Sequence, residues 1–265
     1  MRKFFVSIPV MLALLLITVL AISQKKSTTS QKKPVPKTMT WTTNSKAAKD
    51  LAVEGAWHLM NAEFPQAYTS LMAAVKLDPN FTVALAFLNN LTTGKTQKAY
   101  AKRAQKSAAN KTSGEKLFAT LADNKKTQDE RRDIWAKLHK MFPDGAMIGD
   151  FYVQTRATAE ERFTAAQDYI KKFPNQAAMY NTIAYYYVQD KKDNTMAKQN
   201  FEKYISLYPE GSNPYDSMGE FYLNTGDTAN ARKYYNISLE KYPFSNSSVN
   251  AIQKMADDKK KAEIK

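Results

Sequence analysis

Amphipathic stretches of helical period recur along the chain, and prolines close several of them. In each stretch, apolar residues return every three or four positions, which places them on one face of a helix. The closing prolines are Pro79, Pro143, Pro174, Pro209 and Pro243. They lie 64, 31, 35 and 34 residues apart, and the first interval is twice 32. A regular interval of this size predicts an array of helical repeats.

Small and aromatic residues occur at matching distances before these prolines. Before Pro243 they are Tyr215, Met218, Gly219, Tyr222, Gly226, Ala231 and Tyr235. Before Pro79 they are Leu51, Gly55, His58, Ala62, Ala67 and Leu71. Before Pro209 they are Ala184, Tyr187, Ala197 and Phe201, with one additional residue in the turn. The agreement of three copies indicates a true internal repeat.

This pattern resembles the tetratricopeptide repeat. The signature of that family is an aromatic residue, then Leu-Gly and Tyr, then Ala with an aromatic residue four positions later, then Pro. Segments 215–222 and 231–235, followed by Pro243, fit it closely. The resemblance implies an all-α fold, namely a right-handed α-solenoid of antiparallel helix pairs with a C-terminal capping helix.

The resemblance also implies packing roles for the repeated residues. Gly219 and Ala231 would lie where the two helices of a pair cross, because a larger side chain there would hold the backbones apart. Tyr222 and Tyr235 would fill the space beside the crossing. Gly226 would end the first helix in a left-handed conformation. The whole predicted packing set is Gly55, Ala67, Ala184, Ala197, Gly219, Tyr222, Ala231 and Tyr235.

The predicted repeat domain covers residues 46–261. Its six helix pairs are 48–79, 82–110, 113–143, 144–174, 177–209 and 212–243, and residues 247–261 would form the capping helix. The second pair departs most from the family pattern, because it has no closing proline and Ala99 is its only clear signature residue.

The first 45 residues differ in composition from the rest. Residues 1–23 combine a basic start with an uncharged apolar run and a small-residue cleavage site, which predicts a signal peptide. An uncleaved signal anchor is the alternative, since about 20 apolar residues can span a bilayer. In either case we expect an exported protein of the bacterial periplasm, the envelope or the medium. Residues 24–45, rich in Lys, Ser, Thr and Pro, are predicted to be a disordered linker.

Most of the net positive charge also lies at the N-terminus. The formal net charge is +14, and Arg2, Lys3 and seven lysines within residues 24–49 supply nine of these charges without any acid. The rest of the chain therefore carries only +5. Together with the predicted export, this distribution argues against nucleic acid as a partner.

No motif in the sequence predicts catalysis. Cysteine is absent, which excludes disulfides, thiolate metal sites and cysteine nucleophiles. His58 stands at a packing position, and His139 has no second ligand at helical spacing. The segment 91–96, LTTGKT, ends like a phosphate-binding loop but lacks the first glycine and a preceding strand. We therefore predict no enzymatic activity, no metal and no cofactor.

The second pair carries a run of basic residues without acids. Its lysines at helical spacing, called the basic stripe below, are Lys95, Lys98, Lys102 and Lys106. Such a stripe could bind a polyanion such as a lipid headgroup or an acidic glycan, although a charge run is more often a solvated face.

In the tetratricopeptide family, the first helices of successive repeats line a concave groove. The resemblance gives this wall an apolar N-terminal end, at Ala52, Ala56 and Met60, and a polar C-terminal half. The polar residues are Asp150, Gln154, Asn181, Tyr185, Gln189, Asp216, Glu220 and Asn224. Amides, a tyrosine and carboxylates suit an extended peptide or a sugar chain. We therefore expect a scaffold that binds another protein or peptide, with a carbohydrate-, anionic-polymer- or lipid-binding module as the alternative.

Overall fold

The computed structural model describes residues 35–263. This part of the chain contains thirteen α-helices and no β-strand. Twelve helices form six antiparallel pairs, called repeats 1 to 6 below, in which the first helix is helix A and the second is helix B. The pairs are α1 (Lys46–Met60) with α2 (Phe64–Leu77), α3 (Thr82–Asn90) with α4 (Gly94–Ser107), α5 (Ser113–Ala119) with α6 (Gln128–Met141), α7 (Ala146–Gln154) with α8 (Ala159–Lys172), α9 (Ala178–Tyr186) with α10 (Asn194–Leu207), and α11 (Asn213–Asn224) with α12 (Thr228–Lys241). A final helix, α13 (Asn246–Glu263), packs on repeat 6. The predicted α-solenoid of helix pairs with a capping helix is confirmed.

Several helices begin where a local side chain satisfies one of their first backbone N–H groups. At the start of α8, the Thr158 hydroxyl accepts from the Glu161 N–H at 3.1 Å, and the Glu161 carboxylate accepts from the Thr158 N–H at 3.3 Å. This reciprocal pair is a capping box, which satisfies donors that would otherwise lack partners. Similar boxes start α5 and α6. The starts of these helices are therefore encoded locally.

Glycine in helix A lets helix B approach closely in three repeats. A β-carbon placed on Gly219 would lie 2.9 Å from Cδ1 of Tyr235, and one on Gly149 would lie 2.9 Å from Cε2 of Tyr169. On Gly55 it would lie 2.6 Å from Cγ of Leu71. Such distances leave no room for a methyl group, so these spacings follow from helix contact. The remaining small residues of the predicted packing set are fully buried at Ala67, Ala184, Ala197 and Ala231.

Repeat 2 is the centre of the largest core. Every residue of α3 from Thr82 to Asn89 is buried, which explains why this helix is apolar all round rather than on one face. The Phe87 ring contacts Phe118 at 5.2 Å and Phe151 at 5.7 Å, measured between ring centroids. Repeats 2, 3 and 4 thus share one aromatic cluster.

Residues 36–45 run in non-helical conformation along the helical domain. The Lys37 backbone and Asp144 exchange two hydrogen bonds, at 2.8 and 3.2 Å. The Thr42 N–H and hydroxyl both donate to the buried Glu115 carboxylate at 2.7 Å. The Trp41 ring lies 6.5 Å from the Phe81 ring. The end of the segment predicted as a disordered linker is therefore ordered, because its few apolar residues find a place on repeats 2 and 3.

Candidate functional site

Polar residues of helices A from repeats 4 and 5 meet at one cavity of about 390 Å³. Five of the eight residues predicted for the polar wall line this cavity. They are Asp150 and Gln154 of α7, Asn181 and Tyr185 of α9, and Gln189 just beyond α9. Because helices A of adjacent repeats lie side by side, residues 27 to 39 positions apart in sequence reach one site.

The opposite side of the cavity is formed by the turn between α1 and α2. Leu59, Met60, Ala62 and Phe64 line the cavity from repeat 1. Phe64 is 55% exposed, which leaves an apolar ring at the mouth. Repeat 1 is three repeats from repeat 4 and four from repeat 5 along the chain, so this contact is not one that neighbouring repeats make. The site is consequently enclosed between distant parts of the solenoid.

The carboxylate of Glu63 holds the two parts together. It accepts from the Tyr208 hydroxyl at 2.7 Å and from the backbone N–H of Ser212 at 2.8 Å. It also accepts from the Ser212 hydroxyl at 3.2 Å and from the Asn213 N–H at 3.4 Å. These groups start α11, so Glu63 of repeat 1 caps a helix of repeat 6. We call this set of bonds the Glu63 clasp.

The identity of residue 63 explains why it serves a distant helix. In repeats 5 and 6, the acid before helix B is Asp193 or Asp227, and each caps its own helix by accepting from the N–H three residues on. Glu63 occupies the same position before α2 but makes no such bond. One additional methylene lets its carboxylate leave the local turn and reach Ser212. Ala62, the residue before Glu63, corresponds to Gly226 of repeat 6 and has a φ of 58°. A left-handed backbone conformation at a residue other than glycine costs about 1 kcal/mol of stability.

Glu63 stays ionised although it is only 4% exposed. Burial opposes ionisation, but hydrogen bonds from His58, Tyr208 and the Ser212 N–H together hold the pKa of Glu63 below its usual value. The His58 ring nitrogen lies 2.7 Å from the carboxylate. His58 is therefore part of a hydrogen-bonded cluster, whereas the sequence predicted only a packing role.

The closure fills the N-terminal half of the predicted groove. Helix α1 packs on α7 as well as on its partner α2. Ala52 is fully buried and Ala56 is 2% exposed. The expectation that they form an open apolar wall is wrong, because helices A of repeats 1, 2 and 4 contact one another there. Met60, one turn further on, does line the cavity.

Asp150 is the chemically exceptional residue of the cavity. Its side chain is 2% exposed, and it forms no hydrogen bond or ion pair with any residue of the described chain. Burial raises the pKa of Asp150 to about 8, with no hydrogen bond to offset the loss of hydration. On the neighbouring helix, the Asn181 Oδ1 is buried without a donor. Two side chains therefore bring unsatisfied acceptors to one site, and such groups normally have partners.

A π-helical turn brings Gln189 to the site. Residues Tyr187–Lys191 continue α9 as a π-helix, and Lys192 then adopts a φ of 56°. The wider turn accommodates the additional residue of repeat 5. It places Gln189 and Asp190 on the rim of the cavity. π-Turns of this kind are frequent at functional sites.

The remaining predicted wall residues have different surroundings. Glu220 accepts from the Tyr185 hydroxyl at 2.7 Å, which extends the site to repeat 6. Asp216 accepts from Ser247 and Ser248 at the start of α13, so its carboxylate is used within the protein. Asn224 is exposed at the end of α11. The capping helix thus occupies Asp216, whereas Glu220 and Asn224 on the same helix stay exposed.

The basic stripe lies on α4, away from the cavity. Lys95, Lys98, Lys102 and Lys106 are all exposed. Within residues 35–263, none of the four forms an ion pair. In the same part of the chain, no cluster of His, Cys, Asp and Glu side chains could hold a metal ion.

Comparison with known proteins agrees with this architecture. The family model described as "Tetratricopeptide repeat" matches residues 177–210 and 213–240. The predicted tetratricopeptide repeat is therefore confirmed at repeats 5 and 6. No curated protein matches the sequence at a significant level.

Three solved structures illustrate the similarity. Yeast Tom70 is 13% identical, with a TM-score of 0.51 over 79% of this chain and 47% of that chain. PilW, a type IV pilus biogenesis factor, is 12% identical, with a TM-score of 0.45 over 78% of this chain and 99% of that one. Pseudomonas aeruginosa pilF is 14% identical, with a TM-score of 0.45 over 79% and 98%. At this identity, the Tom70 match shows a shared fold.

The predicted signal or anchor, residues 1–23, lies outside the described residues. Between residues 35 and 263, no helix combines the length and the apolar character needed to cross a bilayer.

Proposed function

We propose that this protein is a non-catalytic scaffold that binds an extended segment of another protein on the polar surface of repeats 4 to 6. The observation that carries the proposal is the convergence of Asp150, Gln154, Asn181, Tyr185 and Gln189 on one cavity. Tetratricopeptide repeats commonly serve as protein-binding scaffolds. The polar surface continues past the cavity through Glu220 and Asn224, which gives an extended segment more than one point of contact.

The enclosed geometry favours a segment over a folded domain. The turn of repeat 1 stands opposite helices α7 and α9, so an occupant must fit between them. The rim offers an exposed aromatic ring at Phe64 and an exposed amide at Gln189. Aromatic and amide groups together bind backbone and side chains of a peptide without requiring a large flat interface. Export of the protein, inferred from residues 1–23, would place the partner in the cell envelope.

Site-specific photo-crosslinking tests this proposal. A benzoylphenylalanine at Gln189 would face the cavity, whereas the same group at Gln199 would lie on helix B of the same repeat. Both glutamines are exposed, so the pair is matched in residue type and accessibility. In cells of the source organism, we expect light-dependent adducts with a discrete protein at position 189 and not at 199. Equal adduct patterns, or none at 189, would contradict the proposal.

A polyanion-binding module is the second candidate, favoured by the exposed basic stripe. Its test is retention on an acidic-glycan column by the wild type and by a Lys98→Glu, Lys102→Glu variant. Retention that the variant loses, and that about 0.3 M salt abolishes, would support it, because the Debye length is then only several ångströms. Equal elution of both proteins would exclude the basic stripe as a polyanion-binding site.

A further inference from the structure

We propose that the cavity between repeats 1, 4 and 5 receives the side chain of a lysine from the bound segment, with its ammonium group placed against Asp150 and Asn181. This inference rests on the proposed function and names the residue type that the cavity selects. It is carried by the unsatisfied acceptors in the cavity and by the apolar character of its walls.

The number of acceptors matches an ammonium group. Asp150 supplies two carboxylate oxygens and Asn181 supplies one amide oxygen, none of which accepts a hydrogen bond from a described residue. An ammonium group has three donors and no acceptor, whereas a guanidinium has five donors in a planar fork. These three acceptors equal the three donors of an ammonium group, whereas an arginine has five donors, and a donor left unpaired in a buried site is costly.

The walls match the aliphatic part of a lysine. Met60, Leu59 and Phe151 line the cavity together with Phe163 and Ala178. A volume of about 390 Å³ admits four methylene groups and the ammonium with room for solvent. Lysine buries its methylene chain along apolar surface while its charged end seeks polar partners. Phe64, which is 55% exposed, adds an apolar ring to these walls, and Asp150 lies among them at 2% exposure.

The charges around the cavity permit a cation. Asp190 lies on the rim, and Arg162 of α8, the cation that also lines the cavity, donates to the Arg156 carbonyl oxygen at 3.2 Å. The remaining titratable neighbours are tyrosines. Their pKa values are raised by burial at Tyr169 and Tyr185, and by the Glu160 hydrogen bond at Tyr186. They remain neutral at physiological pH, so Asp150 is the group whose charge responds to a bound cation.

Binding of an ammonium must therefore be coupled to proton release. Without an occupant, burial raises the pKa of Asp150 to about 8, and the carboxyl is largely protonated at neutral pH. A bound cation favours the ionised form, so the carboxyl releases its proton on binding. Affinity should consequently rise by up to tenfold for each pH unit between pH 6 and 8, and should become constant above that range until lysine itself deprotonates near pH 10.

NMR titration with two isosteric probes tests the inference. Nα-acetyl-lysine N-methylamide and Nα-acetyl-norleucine N-methylamide are added separately to ¹⁵N-labelled protein at pH 8. We expect saturable shifts for the lysine probe at the backbone of Asp150 and at the side-chain amide of Asn181. We expect at least tenfold weaker binding of the norleucine probe. 1,5-Diaminopentane serves as a free amine; tighter binding of this diamine than of the lysine probe would contradict a partner side chain as the natural occupant.

Variants separate recognition from stability. Asp150→Asn removes the carboxylate and should weaken lysine binding at least tenfold, while the exposed control Asp133→Asn should not change it. Asp150→Asn is expected to fold, because a carboxyl with a raised pKa lowers stability as the pH rises from about 4 to 8. Asn181→Ala provides a second variant with the same expected direction. Equal binding by all three variants, or equal binding of both probes, would overturn the inference.

Failure of the lysine pocket can be distinguished from failure of the proposed scaffold function. Crosslinks at position 189 without lysine selectivity would leave the scaffold in place and refute the lysine pocket. If carboxyl-carbon NMR finds Asp150 titrating near pH 8 and the lysine probe leaves that titration unchanged, the cavity holds only water, and the inference is wrong.

Discussion

Removal of the Glu63 carboxylate should open the solenoid between repeat 1 and repeats 5 and 6. The substitution Glu63→Ala leaves the Tyr208 hydroxyl and the Ser212 and Asn213 N–H groups without their acceptor. These donors lie 2.7 to 3.4 Å from the carboxylate. Hydrogen bonds to a charged group contribute about 1.5–3 kcal/mol each, and they do not add when they share an acceptor.

The expected loss is about 3–5 kcal/mol in the free energy of unfolding, as for breaking other buried charged contacts. Domains of this kind are typically stable by about 5–15 kcal/mol. The effect should therefore be large enough to separate the unfolding of repeat 1 from that of the rest. In a solenoid whose ends do not touch, each repeat depends only on its neighbours. The clasp adds a contact that couples both ends.

Urea denaturation followed by circular dichroism measures the stability. Trp57 fluorescence reports the closure, because its ring lies 5.4 Å from the Tyr208 ring. Small-angle X-ray scattering should record a larger radius of gyration for the variant. The matched control is Glu202→Ala in α10, whose side chain is 56% exposed; this substitution should cost less than about 0.5 kcal/mol.

The pH dependence follows from the direction of the pKa shift. Hydrogen bonds lower the pKa of Glu63 from 4.5, so its stabilising contribution is present above pH 4.5 and is lost as the pH falls through the folded-state value. The wild type should lose stability toward pH 3 more steeply than Glu63→Ala. An alanine variant within 1 kcal/mol of the wild type at pH 7, with unchanged scattering, would refute the clasp as the source of closure.

Two further predictions concern the C-terminal repeats. Gly219→Ala should lower the free energy of unfolding by about 1–3 kcal/mol, because the new methyl group would overlap Tyr235. Gly226→Ala should lower it by about 1 kcal/mol through backbone strain alone, because Gly226 has a φ of 86° and open space around it. Urea titrations of both variants measure this difference, and equal costs would contradict the helix-crossing explanation. Asp216→Ala should release the start of α13, so amide hydrogen exchange there should accelerate at least tenfold while α7 is unaffected; unchanged protection at Ser248 would show that other contacts hold the helix.

The sequence determined the helical repeats because their causes are local. Gly219 faces Tyr235 within one pair, and Gly226 ends α11 two residues before α12 begins. Contacts inside a repeat and between adjacent repeats recur at a fixed interval, so the period of the sequence records them. The same locality gave the polar surface of helices A, at Asn181 and Tyr185 among others.

Only the tertiary structure decided which part of that surface stays open. The bond from Ser212 to Glu63 joins residues 149 positions apart, and it depends on the summed curvature of several repeats, which no single repeat specifies. That curvature buries Ala52 and Ala56 and turns a predicted open groove into an enclosed cavity. One local sign was present, since a glutamate stands at position 63 where repeats 5 and 6 have aspartate. A longer side chain indicates that the carboxylate can leave its own helix, but its destination is set by how the repeats stack.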